Sequence, residues 1–378
     1  ALSSAPRCPM RVLVVNAGSS SLKLRLLDAG DAVVGTRNLG PGPPDRGNLG
    51  AWIGSLGGID AVGHRIVHGG TDFSEPVLID AVVEERLHAL ADLAPLHQAK
   101  ALDALHAVCA VLPGVPAVAC FDTAFHAGLP APAATYALPA EWRSRWRLRR
   151  YGFHGISHAY ATRRTAELLG RPAAELRIVT CHLGAGASLA AVSGGRCVDT
   201  TMGFTPLEGL VMATRSGSVD PGLVLWLQTH AGLSPSELAE ALEYRSGLKG
   251  LAGTGDMAVL LARAEAGDGD ARLAVEVYLH RLRALMAAMV AAMCGVDAVS
   301  FTGGVGENAP AIRAGAAAGL GFLGIDLDAT RNEQRADGGQ VDREIGRPGA
   351  RVRCAVVAAR EDLEIARDVR GLLGATRS

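Results

Sequence analysis

The sequence predicts an α/β protein whose sheets are covered by helices, and three observations carry that expectation. Short apolar strand-like runs alternate with segments of helical periodicity along most of the 378 residues. A strand, a Gly/Ser tip and a second strand occur twice, once around Asn16 and once around His182. Polar residues also gather at predicted strand ends, where open α/β sheets place their ligands: Asn16, Arg65, Asp122 and Glu361. One such residue is usually a turn or cap; four of them point to a shared site.

Taken in order, Val12–Asn16 is an apolar strand, Ala17–Ser21 a tip and Leu22–Leu26 a strand alternating at period two. Ala99–Leu112 carries a helical stripe (Leu102, Leu105, Val108, Cys109, Leu112) and leads into a strand at Ala117–Phe121. Ser157 is the expected cap of a helix that stops at Gly170, with Pro172 beyond. The second hairpin runs from Ile178–His182 through the tip Leu183–Ser188 to Leu189–Val192. Ser234-Pro235-Ser236-Glu237 is a capping box with proline at the first helical position. Val275–Met293 is a long helix, Ala298–Phe301 and Arg353–Ala358 are strands, and Leu363–Leu373 is a closing helix. Loops are expected at Gly40–Asn48, Gly267–Asp270 and Ala336–Gly349. The two hairpins alone fit unrelated turns and an internal duplication equally well.

Composition narrows the function. The length allows two or three domains with a substantial core. A formal net charge of −1 gives no global field for nucleic acid or an anionic membrane. The longest apolar run, Ala284–Val296, is too short to span a bilayer and reads as a buried helix. Seven cysteines, an odd number, most in apolar runs and without metal-ligand spacing, suggest a reduced cytoplasmic protein, and no secretory-type leader is recognisable. Lysine stands only at Lys23, Lys100 and Lys249, so 34 of the 37 basic residues are arginine.

Single motifs are weaker. There is no Gly-x4-Gly-Lys-Ser/Thr sequence and no dinucleotide glycine fingerprint in a strand-to-helix setting. Gly303–Asn308 reads as a glycine-rich turn before a helix near Pro310 that could face an anion. His64/His68 and His154/His158 are each four apart, but glycines flank both pairs, which therefore read as turns rather than zinc ligands. His88, His106, His230 and His280 read as surface or satisfied core histidines. The arginines at 143, 145, 147, 149 and 150, with Trp142 and Trp146, fit a solvated strand face better than a nucleic-acid patch.

Read together, several runs resemble the acetate kinase family: NAGSSSLK (16–23), GHRIVHGG (63–70), APLH (94–97), FDTAFH (121–126), RRYGFHG (149–155), HLGAG (182–186), TMGFTPLEG (201–209), TRSG (214–217), GGVGEN (303–308) and EDL (361–363). The order matches and the match covers nearly the whole chain. The resemblance implies two duplicated actin-like (ribonuclease H-like) domains flanking a nucleotide cleft, residues 1–122 with 363–378 and residues 123–362. It thereby favours duplication for the two hairpins. It implies reversible phosphoryl transfer between ATP and acetate, a homodimer, and Mg2+ with Mn2+ as a substitute.

By the same resemblance, Asn16 and Glu361 fall where the family binds metal, and hard oxygen donors suit Mg2+. Asp122, His154 and Arg215 fall at the catalytic positions, and Arg65 at the substrate-binding arginine. Val67, Leu96, Phe153 and Pro206 match the pocket for the acyl methyl group. Nucleotide positions are Ser19, Ser21, Lys23, His182, Leu183, Gly184, Ala185, Gly186, Asp256, Met257, Ala258, Gly304, Val305, Gly306, Glu307 and Asn308. Two of these depart from the family: Ala185 stands for an asparagine and Ala258 for an arginine, both on the nucleotide side. Acetate already ionises near neutral pH, so Asp122 is expected to orient an arginine or the metal's water rather than act as a base. The alternatives are a propionate or other short-chain carboxylate kinase, a non-catalytic actin-like ATP module and, remotely, a zinc hydrolase.

Overall fold

Among the described residues, twelve strands in two sheets of six follow one plan twice. The computed structural model describes residues 10–18, 22–40, 45–91, 95–334 and 341–375, and the side chains at 95–97 lie outside that description. The chain divides into two compact units, one of Ala1–Ala127, Phe153–Tyr160 and Arg360–Ser378, the other of Gly128–Gly152 and Ala161–Ala359.

In the first unit, β1 (Val12–Ala17), β2 (Leu22–Leu27), β3 (Val33–Leu39), β4 (Ala61–Ile66), β5 (Val77–Leu78) and β6 (Ala117–Phe121) lie in the order β3-β2-β1-β4-β6-β5. In the second, β7 (Arg177–Leu183), β8 (Ala187–Ser193), β9 (Arg196–Thr200), β10 (Ala298–Thr302), β11 (Arg343–Glu344) and β12 (Arg353–Val356) lie in the order β11-β12-β10-β7-β8-β9. Moving six strands along the chain maps one order onto the other. The strand senses map as well. In both units the first three strands form an antiparallel meander, the first, fourth and sixth run parallel, and the fifth is antiparallel on the sixth. Even the bulge recurs between second and third strands, at Leu26/Leu27 and at Ala191/Val192. Two unrelated hairpins would share none of this. The fold is α/β with two duplicated units.

The strand residues explain the layers. Along β1 the side chains alternate, so Leu13 and Val15 pack with Leu24, Leu26, Leu49, Ile53 and Val108. Val12 and Val14 point the other way, onto Val118, Cys120, Ile365 and Val369. The last two belong to the C-terminal helix Glu361–Ala375, which therefore covers the first unit's sheet. Gly63 lets that helix seat on β4, because a Cβ there would stand 2.5 Å from Ile365 Cγ2. At the helix start, buried Asp362 accepts from Arg360 at 2.9 Å and from Arg25 of β2 at 3.1 Å.

Several expectations change. The helix expected to be capped by Ser157 begins at Gly155, and Ser157 is buried in its first turn. Gly303–Asn308 is a short helix rather than a turn, running directly before the helix Pro310–Ala318. His64 lies in β4 and is buried; the flanking Gly63 serves helix packing, not a turn. Arg143 and Arg145 sit on a short helix, Ala140–Arg145, so their period-two spacing is not a strand. Arg150 is no solvated arginine, since it pairs with Glu208 at 2.7 Å. The run Ala284–Val296 is buried on one face only, because small alanines tolerate solvent on the other. Helices begin at Arg46 and Gly269 inside two expected loops, the latter capped by Asp268, and β11 lies inside the third. Residues 41–44 and 336–340 of those loops lie outside the described residues. The capping box forms as expected, with Ser234 and Glu237 bonding reciprocally. Among the described residues, no helix is long and apolar enough to cross a membrane.

Three histidines of the first unit are buried neutral. Burial lowers His64 to about 3, and His68 and His126 to about 4. Unfolding releases them to their ordinary value of about 6.5. Below that pH the unfolded chain takes up protons that the folded chain refuses, so stability is present above pH 6.5 and falls towards pH 4. Three protons correspond to a slope of about 4 kcal/mol per pH unit within that window. The urea midpoint should therefore fall steeply from pH 6.5 to 4.5. His64, whose ring nitrogens both lack a partner among the described residues, should on His64→Leu substitution flatten that slope by about a third. An unchanged slope would show that His64 is not buried neutral.

Candidate active site

The first unit brings four of the predicted residues together. Asn16 is the penultimate paired residue of β1, Arg65 lies in β4, Asp122 follows β6 and Glu361 opens the C-terminal helix. Parallel β1, β4 and β6 place their carboxyl ends side by side, which is why residues so distant in sequence meet. Arg65 grips Asp122 with both prongs of its fork, Nε to Oδ1 at 3.1 Å and Nη2 to Oδ2 at 2.5 Å. Its Nη1 donates to Asn16 Oδ1 at 3.2 Å and to the Ala17 carbonyl at 3.3 Å, while Asn16 Nδ2 donates to Glu361 Oε2 at 2.6 Å. Burial works against the guanidinium's charge, but Asp122 and Glu361 more than offset it and hold Arg65 above its usual range. Burial, helped by Glu361, raises the Asp122 carboxyl against the pull of Arg65.

Asp122 has a second task. Its carboxylate accepts from the His154 backbone N–H, and its main-chain carbonyl accepts from Gly155 N at 2.9 Å. A Cβ on residue 155 would lie 2.1 Å from that carbonyl oxygen, so only glycine lets the turn close on Asp122. His154 takes the strained left-handed conformation, φ +57°, immediately before this contact. Phe153 is buried, with His68 packed edge-on at 5.4 Å and His126 Nε2 at 3.0 Å from its carbonyl. Val67 is buried just beyond β4. Leu96 sits in the first turn of the helix Pro95–Val111 and its side chain lies outside the described residues, as do Ser19 and Ser21 altogether. Lys23 is exposed and directly opposite Asn16 in the β1–β2 ladder, so the two share a face.

The second unit holds the others. Arg215 is mostly buried, donates from Nη1 to the Pro206 carbonyl at 3.4 Å, and lies 4.0 Å from Glu243. Burial lowers its pKa, with Glu243 opposing. The loop bearing Pro206 is braced by three side chains. Tyr136 donates to Glu208 at 2.6 Å and accepts from Phe204 N, and Arg150 grips Glu208 and the carbonyls of Thr201 and Met202. His182 and Leu183 end β7, and the tip Gly184–Gly186 closes by a bond from Gly184 N to the Gly186 carbonyl at 3.0 Å. The Ala185 carbonyl takes a bond from Ala213 N. Asp256 caps the helix Met257–Glu265 by accepting from Ala258 and Val259 N–H; Ala258 is exposed, whereas Met257 points into the core.

Gly304, Val305, Gly306, Glu307 and Asn308 lie on the short helix after β10. Glu307 accepts from Ala359 N at 2.9 Å, and burial raises its carboxyl. The final carbonyls of that helix are satisfied by Arg313, which donates to Gly306 and Glu307 at 2.8 and 2.9 Å and to Asn332 at 2.8 Å. Arg313 is buried, and burial lowers it to about 10. Sequence reasoning missed Arg313 and the Tyr136–Glu208–Arg150 brace. The one available signal for Arg313 was a lone arginine inside an alanine-rich helix, AIRAGAAA.

In the first unit, Arg65 keeps one N–H on Nη2 for an anion beyond its bonds to Asp122, Asn16 and Ala17; in the second, the Arg215 guanidinium is a further cationic donor. Glu361 and Asn16 supply hard oxygens, few in number, which is the donor set that Mg2+ takes when water and phosphate complete its shell.

Comparison with known proteins agrees with this reading. The model of the acetokinase family matches residues 50–367. An acetate kinase of Leifsonia xyli is 47% identical, the match covering 94% of this chain and 97% of that one, and one of Thermotoga maritima is 43% identical, covering 96% and 99%. Among solved structures, Porphyromonas gingivalis acetate kinase superposes with a TM-score of 0.88 at 35% identity, over 96% of this chain and all of that one. A propionate kinase of Francisella tularensis gives 0.87 at 33%, over 95% and 98%. A family model spanning most of the chain, and relatives matched over nearly their full length, place this protein in the acetokinase family.

Proposed function

We propose that the chain transfers the γ-phosphoryl group of ATP reversibly to acetate, giving acetyl phosphate and ADP by direct in-line transfer. The observation that carries this reading is the Arg65 guanidinium, held by Asp122 beside Asn16 and Glu361. Nucleotide binding alone requires no such clamped arginine at a strand end. In phosphoryl transfer the protein mainly aligns reactants and neutralises charge. Arg65 takes the acetate carboxylate, Arg215 stabilises the oxygens of the moving phosphoryl group, and the His154 ring donates a hydrogen bond to them. Asp122 is a positioning residue, which fixes Arg65 through its carboxylate and His154 through its backbone. Val67, Leu96, Phe153 and Pro206 limit the space for the methyl group. Ser19, Ser21, Lys23, the tip 182–186, Asp256–Ala258 and Gly304–Asn308 serve the nucleotide.

Within the hydrogen-bonded cluster around Asn16, the Arg65 cation stands against two carboxylates, Asp122 and Glu361. That balance opposes two further anions, so a divalent cation belongs to the proposal. Asn16 and Glu361 would hold Mg2+, which when bound screens the phosphate charge. A second copy of the chain belongs to it too. The helix Pro221–His230 has no buried residue and exposes Leu223, Leu225 and Trp226, an apolar surface for a homodimer. Buried free thiols at Cys120, Cys181, Cys197 and Cys354 fit a reducing cytoplasm.

Hydroxamate trapping of acyl phosphate, with ATP and Mg2+, tests the reading directly. Acetate should give product and propionate should follow more slowly, since one methylene is worth about 1–3 kcal/mol in a small pocket. No acyl phosphate from acetate, propionate or butyrate would overturn it. Asp122→Asn should raise the KM for acetate and lower kcat/KM about 100-fold, because a misplaced Arg65 loses its alignment; near-normal turnover would refute the positioning role. Arg215→Ala should cost about 10³-fold or more in kcat with little change in acetate KM. With alanine at 185 and 258, ATP and GTP should serve comparably. Ala185→Asn should then favour ATP by about 0.5–1.5 kcal/mol, read as a lower KM for ATP.

A further inference from the structure

The sequence offered His88 and His106 as unconnected histidines, but the fold of the first unit brings them together beside a carboxylate. Glu84 and His88 are four residues apart on the helix Ala81–Ala89, and His106 lies on the helix Pro95–Val111. Leu87, Leu102 and Leu105 share one core cluster, which packs the two helices together beneath these side chains. His106 Nε2 lies 2.6 Å from Glu84 Oε1, and the His88 and His106 rings stack with centroids 5.5 Å apart and 21° between planes. One ligand atom from each of the three residues falls within 4.8 Å of the other two. The cluster is open to solvent: Glu84 and His106 are more than a third exposed and His88 is exposed.

We propose that Glu84, His88 and His106 form a surface site for one divalent transition-metal ion of the Zn2+ class, which clamps the two helices together. Two imidazoles and a carboxylate are the donors borderline metals select, whereas Mg2+ prefers all-oxygen shells. A four-residue spacing puts Glu84 and His88 on one helix face, and the third ligand comes from a neighbouring helix. Ligands about 2.1 Å from a tetrahedral ion stand about 3.4 Å apart, so the 2.6 Å His106–Glu84 pair opens and the remaining separations, within 4.8 Å, adjust by small side-chain rotations. The ion takes the place of the proton between His106 and Glu84, and that proton leaves to the other ring nitrogen or to solvent. Three ligands leave one position for water. The site uses none of the residues assigned to phosphoryl transfer, so its outcome is independent of the kinase proposal.

The test uses the full chain, stripped with chelator and then titrated with ZnCl2 in excess Mg2+. Calorimetry or competition with a chromophoric chelator should show one Zn2+ per chain, and Zn2+ should raise the melting temperature. His88→Ala and His106→Ala should each weaken that binding by at least about tenfold and abolish the thermal shift, while His230→Ala leaves both unchanged. Glu84→Gln should weaken binding less than either histidine change, because its amide oxygen can still donate to the ion. Binding of unchanged stoichiometry and affinity in the His88/His106 double variant would place the zinc elsewhere and overturn the proposal. So would failure of the wild-type chain to bind Zn2+ in excess Mg2+. Circular dichroism of the variants separates either result from misfolding.

Discussion

The Arg65–Asp122 pair is the interaction on which the first unit's site depends. A buried guanidinium and a buried carboxylate are expensive apart, and removing one partner of such a pair costs about 3–5 kcal/mol. Here each also holds something else in place. Arg65 ties the ends of β1 and β4 together through Asn16 and Ala17, and Asn16 reaches the first turn of the C-terminal helix through Glu361. Asp122 pins the turn at His154 and Gly155 by its carboxylate and its carbonyl. One ion pair therefore gathers three strand ends, a helix start and a strained turn. A lysine at 65 would keep the charge but lose the fork that reaches Asp122 with two nitrogens and Asn16 with the third.

Much of this was legible in the sequence because strand ends are legible. Apolar runs of five or six residues bounded by polar ones fix where β1, β6, β7 and β10 stop, and the residue at the stop is by position a candidate ligand. Asn16 and Asp122 follow from that rule alone, whereas Glu361 opens a helix some residues beyond the end of β12 at Val356. The hairpins were visible, but on them alone duplication was not, since strand order and sense depend on pairings that no local pattern records; only the family resemblance favoured it. Glycine misled twice, because the residue that signals a turn also signals close packing. Gly63 serves the C-terminal helix within a strand, and Gly303–Gly306 lie within a helix.

What escaped the sequence is long-range support. The brace of Tyr136, Arg150 and Glu208 joins residues up to 72 positions apart, and nothing about a single tyrosine or glutamate announces it. Arg313 spends its donors on helix-terminal carbonyls and on Asn332 rather than on a carboxylate, so charge pairing could not find it. His88 and His106 lie at the surface as expected, but their proximity escaped for the same reason. Each looks isolated until two helices are laid side by side.

The duplicated plan also carries two different sets of side chains at one place. In each unit the penultimate pair of the first hairpin occupies the same place, Asn16 opposite Lys23 in one and His182 opposite Ser188 in the other. The first unit carries a charged network at that level, with Arg65, Asp122 and Glu361 around Asn16. The second carries a tip of small residues whose main chain is exposed or tied to main chain, as at Gly184 and Ala185. Charged side chains suit recognition of a small carboxylate, which offers nothing but its charge and a methyl group. Small residues suit a polyphosphate, which backbone N–H groups can approach closely. Divergence of one hairpin level within a shared plan is enough to give the two units different surroundings at the same place.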